Sequence, residues 1–128
     1  QVPVTDSVRH RLRQVEYVGE ADFTVKNALL SKARALLFPI QWEEPFGLVM
    51  VKAMACGTPV LAFAGGSVEE VVVDGVNGWI CRDVDEMARR IAAPGVAASS
   101  CRTFVEDHFS VAKMTERYLD VYRCALGH

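Results

Sequence analysis

The sequence predicts an α/β domain built as a Rossmann-like parallel sheet with flanking helices. Three observations carry this. Two apolar runs, Ala35-Leu36-Leu37-Phe38 and Pro59-Val60-Leu61-Ala62-Phe63, have strand length and no polar alternation, as expected of strands covered on both faces. Segments with helical spacing and polar caps stand between and after them. The alternation of the two calls for parallel strands joined by right-handed crossovers.

The elements follow in order. Residues 1–14 are polar and basic and are expected to form the tail of a helix. Val15, Glu16, Tyr17 and Val18 read as a short strand stopped by Gly19. Asp22 caps a helix with Val25, Ala28, Leu29 and Ala33 on one face. The run ending at Phe38 is the next strand. A loop and an apolar helix lead to Cys56, with Gly57 as the stop. The run ending at Phe63 is another strand, and Gly65-Gly66-Ser67 opens a short helix to about Val73. Asn77-Gly78 turns the chain into Trp79-Ile80-Cys81. Asp83 or Asp85 caps a helix carrying Met87, Ala88 and Ile91. Residues 94–109 read as mostly helical. Ser110 caps a last helix with Val111, Met114, Tyr118, Val121 and Ala125 on one face.

At 128 residues there is room for one domain with an adequate core. A hydrophobic fraction of 51% with 23% charged residues is that of a folded chain. A net charge of −2 offers no electrostatic reason to expect nucleic acid as a partner. His10, His108 and His128 are too scattered for a metal cluster, so no metal site is expected. Cys56, Cys81, Cys101 and Cys124 lack Cys-x-x-Cys spacing. Cys56 and Cys81 lie in apolar settings and read as small buried thiols in a reducing compartment. The uncharged run 53–68 is broken by Gly57, Pro59, Gly65 and Gly66, so it is no membrane span.

The chemistry concentrates in Glu44-Pro45-Phe46-Gly47-Leu48 and the helix that follows. From Pro45 to Val68 the only formal charge is Lys52. A loop that brings free amides to a helix N-terminus favours an anion, because the first-turn N–H groups lack helical partners and the macrodipole is positive there. A carboxylate beside such a site suits hydroxyl groups. The pairing points to a ligand carrying both phosphate and sugar.

This segment resembles the donor-binding signature of retaining glycosyltransferases with the GT-B fold, the group 1 family. That pattern has Glu, Phe-Gly, apolar residues, a second Glu eight positions on, then Ala-x-Ala-x-Gly-x-Pro-Val. Here these are Glu44, Phe46, Gly47, then Lys52 in place of the second Glu, then Ala53, Ala55, Gly57, Pro59 and Val60. Tyr17-Val18-Gly19, Ala35-Leu36-Leu37-Phe38-Pro39, Gly65-Gly66-Ser67-Val68-Glu69-Glu70-Val71 and Asp74-Gly75-Val76-Asn77-Gly78 agree in order. The likeness runs from about Val15 to the C-terminus.

The resemblance implies that residues 1–128 are the C-terminal, donor-binding domain of such an enzyme, truncated at its N-terminus. It implies a sheet of strand order 3-2-1-4-5-6 of which the first two strands are missing, and a nucleotide-sugar donor whose sugar goes to an acceptor with retention. The acceptor domain is absent, so the chain alone is expected to be inactive. Glu44 would take the catalytic role of orienting the donor sugar. Phe46, Gly47 and Leu48 would contact the sugar or diphosphate, and Gly19 would allow close approach to the ligand. No metal or other cofactor is implied. Cytoplasmic localisation follows, or attachment to the inner face of a membrane.

Departures keep alternatives open. Lys52 stands where a diol acceptor is expected, and an ammonium only donates. Lost function, re-purposing toward phosphate, and a divergent family member all fit, as does a helix residue that snorkels. A non-catalytic or degenerate nucleotide-sugar-binding module and a GT-B-type sugar-nucleotide epimerase are the rival functions. Gly65 and Gly66 are a second candidate amide cradle, or only a tight turn. Glu43 reads as solvated, Trp42 as a packing residue, and Tyr118 with Tyr122 as core. With two strands missing, residues 36–38 should form an open apolar edge. Either residues 15–18 slide in beside them or two chains pair there as a homodimer.

Overall fold

The computed structural model describes residues 15–43 and 45–127. The expected helix tail in residues 1–14, and Glu44, lie outside them. The elements in order are α1 (Phe23–Lys32), β1 (Leu36–Phe38), α2 (Leu48–Ala55), β2 (Val60–Phe63), α3 (Val68–Val71), β3 (Gly78–Cys81), α4 (Val84–Ala92), α5 (Ala98–His108) and α6 (Val111–Ala125). The three strands form one parallel sheet in the order β1-β2-β3. This is the α/β architecture the sequence predicts.

Strand period decides the two faces. Phe38, Val60 and Ala62 point to one side and pack with Met50, Ala53 and Met54 of α2, Val68 and Val71 of α3, and Cys101 of α5. Leu61 and Cys81 point to the other side and pack with Met87 of α4. Burial pushes the thiols of Cys81 and Cys101 above their ordinary range, with Glu86 adding to the effect at Cys81. Both thiols are therefore inert, buried groups, as the sequence suggested for Cys81. All four cysteines are free.

Local signals set the boundaries. Asp22 caps α1 by accepting from the Val25 amide at 2.9 Å. Asp83, not Asp85, caps α4, accepting from Glu86 at 2.8 Å. Ser110 caps α6. The turn into β3 is held by Asn77, which is fully buried. Its Oδ1 accepts from Val73 N–H at 2.8 Å, and its Nδ2 donates to the Val71 carbonyl at 2.9 Å. Next to it, a Cβ on Gly78 would lie 1.9 Å from the Val60 carbonyl oxygen, so only glycine allows β2 and β3 to pair there.

Three expectations fail: the strand over 15–18, its place beside β1, and Tyr118 with Tyr122 as core. Residues 15–18 form no strand and are exposed. A strand is stable only when its backbone groups are paired, and none of the described strands takes them as a neighbour. Nor do they slide in beside β1, which among the described residues pairs with β2 alone, leaving its other edge without a described strand. Helix α1 forms, but Val25, Ala28, Leu29 and Ala33 stay exposed, and only Leu30 packs against the core. Residues 94–109 are mostly helical, as read, with α5 starting at Ala98. Helix α6 buries nothing, so Tyr118 and Tyr122 are not core; they stack on each other at 6.3 Å on the surface.

Candidate functional site

Parallel strands deliver their connecting loops to one end of the sheet. Here those loops are 39–47 after β1, 64–67 after β2, and 82–83 after β3. An open cleft of about 470 Å³ lies at this end, with Gln41, Phe63, Ala64, Arg82 and Asp83 on its walls; Phe46, Gly47, Leu48, Gly65 and Gly66 are not among its lining residues.

The first loop ends at Gly47, which is buried and has φ +69°, ψ +59°. That left-handed turn favours glycine, because a Cβ there would crowd the backbone. Gly47 is the N-cap of α2 and offers no side chain, so no capping hydrogen bond covers the first turn of the helix. Phe46 and Leu48 flank the turn and are exposed. The Phe46 ring meets Phe109 edge-on at 5.9 Å. Lys52 stands one turn beyond Leu48, exposed, with no side-chain hydrogen bond or ion pair among the described residues.

The second loop turns through Gly65 and Gly66, both at positive φ. Two hydrogen bonds join it to the first loop. The Gly66 N–H donates to Glu43 Oε2 at 2.5 Å, and the Ser67 hydroxyl donates to the Phe46 carbonyl at 2.6 Å. Glu43 is thus not merely solvated: its carboxylate takes one amide of the turn read as a second cradle. Trp42, expected to pack, is exposed.

The structure therefore brings Phe46, Gly47 and Leu48 together with Gly65 and Gly66. Lys52 lies on the same helix, further from the turn. Gly19 has φ +70° in the segment that forms no strand, and among the described residues no backbone hydrogen bond ties it to the first loop. Glu44 falls outside the described residues. Sequence reasoning missed Ser67 as a partner of Phe46. The signal was a hydroxyl directly after two glycines, but which carbonyl it would reach depended on strand pairing. Among the described residues no cluster of His, Cys, Asp or Glu could hold a metal ion. No helix among them is long and apolar enough to cross a membrane.

A second concavity of about 460 Å³ lies between the start of α2 and the face of α6, lined mainly by Phe46, Leu48, Val51, Phe109 and Met114. Its walls are largely apolar, with His108, Arg117 and Tyr118 as the polar groups among them. Of the donor residues expected from the sequence, Phe46 and Leu48 line this concavity, and none lines the cleft at the strand ends.

Residues 3–93 match the model of the family described as glycosyl transferases group 1. The chain belongs to that family. It is 41% identical over 86 residues to glycogen synthase of Mycobacterium tuberculosis, an alignment covering 65% of this chain and 20% of that protein. It is 34% identical over 125 residues to the alpha-1,3/1,6-mannosyltransferase ALG2 of Eremothecium gossypii, covering 85% of this chain and 24% of that one. In three dimensions it resembles the crystal structure of AviGT4, a glycosyltransferase involved in avilamycin A biosynthesis. The TM-score is 0.68 at 26% identity, over 95% of this chain and 39% of the other. The three-stranded sheet with its helices is that of a GT-B glycosyltransferase domain fragment. The chain spans about a fifth to a quarter of the two curated relatives.

Proposed function

We propose that this group 1 chain is the C-terminal donor-binding part of a glycosyltransferase that moves a sugar from a nucleotide sugar to an acceptor with retention. The observation that carries the reading is the Gly47 turn. It opens an uncapped helix at the carboxyl end of a parallel strand, between exposed Phe46 and Leu48. Amides there suit the growing negative charge on a departing diphosphate, which needs no metal to be stabilised in this way. Glu44 would orient the donor sugar through its hydroxyls. The acceptor would be held by a part of the enzyme outside this chain. Free cysteines fit a reducing, cytoplasmic setting.

Lys52 favours a second reading, a degenerate module that binds without transfer. It is exposed and unpaired among the described residues, where the family presents an acceptor for ribose hydroxyls. Saturation-transfer NMR with UDP-glucose, GDP-mannose and ADP-glucose tests both. Binding of one donor, with contacts at residues 46–48, supports the donor site that both readings share, and sugar transfer by the complete enzyme separates them; no binding by any of the three rejects both. Lys52→Glu is expected to tighten binding of ribose-containing nucleotides about tenfold, as one charge-assisted hydrogen bond would. Unchanged or weaker binding would assign Lys52 to phosphate or to the surface.

A further inference from the structure

The loops after β1 and β2 hold each other in both directions. A side chain of the first, Glu43, accepts from the backbone of the second at Gly66. A side chain of the second, Ser67, donates to the backbone of the first at Phe46. The attachment points, 43 and 46, bracket position 44 in the sequence. The second lies one residue before the Gly47 turn that starts α2.

We propose that Glu43 and Ser67 are positioning residues. Together they form a two-point clasp that holds Glu43 and residues 45–47 in the geometry that receives the donor. Neither residue needs to touch the ligand. This rests on the donor-binding reading of the same site and adds what sets its shape. The physical case is entropic. Restricting a loop before binding removes an ordering cost that the ligand would otherwise meet. Two bonds of opposite direction restrain a short segment better than one, because either alone leaves a hinge at the free end. Backbone freedom on the other side of the clasp comes from Gly65 and Gly66. Their positive φ, +139° and +53°, turns the Gly66 N–H toward the Glu43 carboxylate. Ser67 is buried, whereas Glu43 is exposed, so the two points differ in their access to water. Water competes for the carboxylate, and the Ser67 bond is expected to be the more persistent of the two.

The test uses the 128-residue chain with Glu43→Ala, Glu43→Gln and Ser67→Ala, and two readouts. The first is ¹⁵N relaxation without ligand. In Glu43→Ala and in Ser67→Ala, order parameters at residues 46–49 and 65–67 should fall from about 0.85 toward about 0.6, while those of α4 stay unchanged. Glu43→Gln keeps a carbonyl acceptor and should restore most of the order. The second readout is the affinity for whichever of UDP-glucose, GDP-mannose and ADP-glucose the parent chain binds. It should weaken about tenfold in Glu43→Ala and recover in Glu43→Gln, with little change in Tm. Unchanged order parameters in both alanine variants overturn the clasp. Loosened loops with unchanged affinity overturn its role in positioning. A parent chain that binds none of the three donors sinks the donor reading instead, and the order parameters alone then judge the clasp. Should Ser67→Ala unfold, the exposed Glu43 pair of variants decides.

Discussion

Leu37 and Leu61 sit side by side in the sheet as Cα partners and point to the same face. Leu61 is fully buried beneath α4; Leu37 is 47% exposed. The same contrast separates two helices. Helix α2, with 8 residues, buries Met50, Ala53 and Met54 completely. Helix α6, with 15, carries Val111, Met114, Tyr118 and Val121 on one side and buries none of them. What differs is not the residues but what stands opposite them. Helix α2 lies against α1, β1, β2 and α5, while α6 contacts mainly α5. Apolar side chains identify a face that gains by being covered, and coverage itself requires a partner.

The contrast between the closed and the open part can be broken most forcefully at Gly78. In Gly78→Ala the new Cβ would meet the Val60 carbonyl with backbone on both sides and no flexible group to yield. Loss of about 4 kcal/mol or more, amounting to failure to fold, is expected by circular dichroism. A cooperative melt near that of the parent would mean that β2 and β3 can separate without cost.

Next is Met54→Ala, which empties a fully buried position between α2 and the sheet. Urea unfolding should show a loss of about 2–5 kcal/mol. A loss under about 1 kcal/mol would place the core elsewhere.

The open part should respond in association rather than in stability. The free edge of β1 is expected to pair with a second chain, and light scattering should show mass rising with concentration. Leu37→Lys should suppress that rise. A clean monomer at every concentration for the parent chain would remove the edge as a contact.

The smallest effect is expected for Met114→Ala, on the exposed side of α6: under about 0.5 kcal/mol in the same urea measurement. A cost comparable to that at Met54 would show that the α6 face is covered in solution.

How much was legible varied with the range of the interaction. The caps at Asp22 and Ser110 were readable because a side chain three residues from its amide needs no distant partner. Asp83 and Asp85 could not be told apart, since both stand at the helix start, Asp83 as its cap and Asp85 in its first turn. The Pro-x-Gly sequence announced the turn at Gly47. The role of Asn77 was only half visible. Its turn chemistry was clear, but its burial among Val71, Val73 and Cys101 came from packing. Glu43 looked solvated because nothing in residues 41–45 indicates that a glycine amide 23 positions later will stand 2.5 Å away.

By itself the sequence determined the kind of each element that forms, the parallel α/β class, the Gly47 turn and the family. Each depends on local backbone preference, side-chain period or spaced motifs along one stretch of chain. Only the tertiary structure decided which apolar faces are covered, that residues 15–18 form no strand, that Gly78 must be glycine, and that the loops after β1 and β2 clasp each other. Those outcomes depend on which backbone groups and side chains arrive from far along the chain. A strand needs a neighbour's hydrogen bonds, and a buried face needs a second surface. Neither is specified by the residues that display the need.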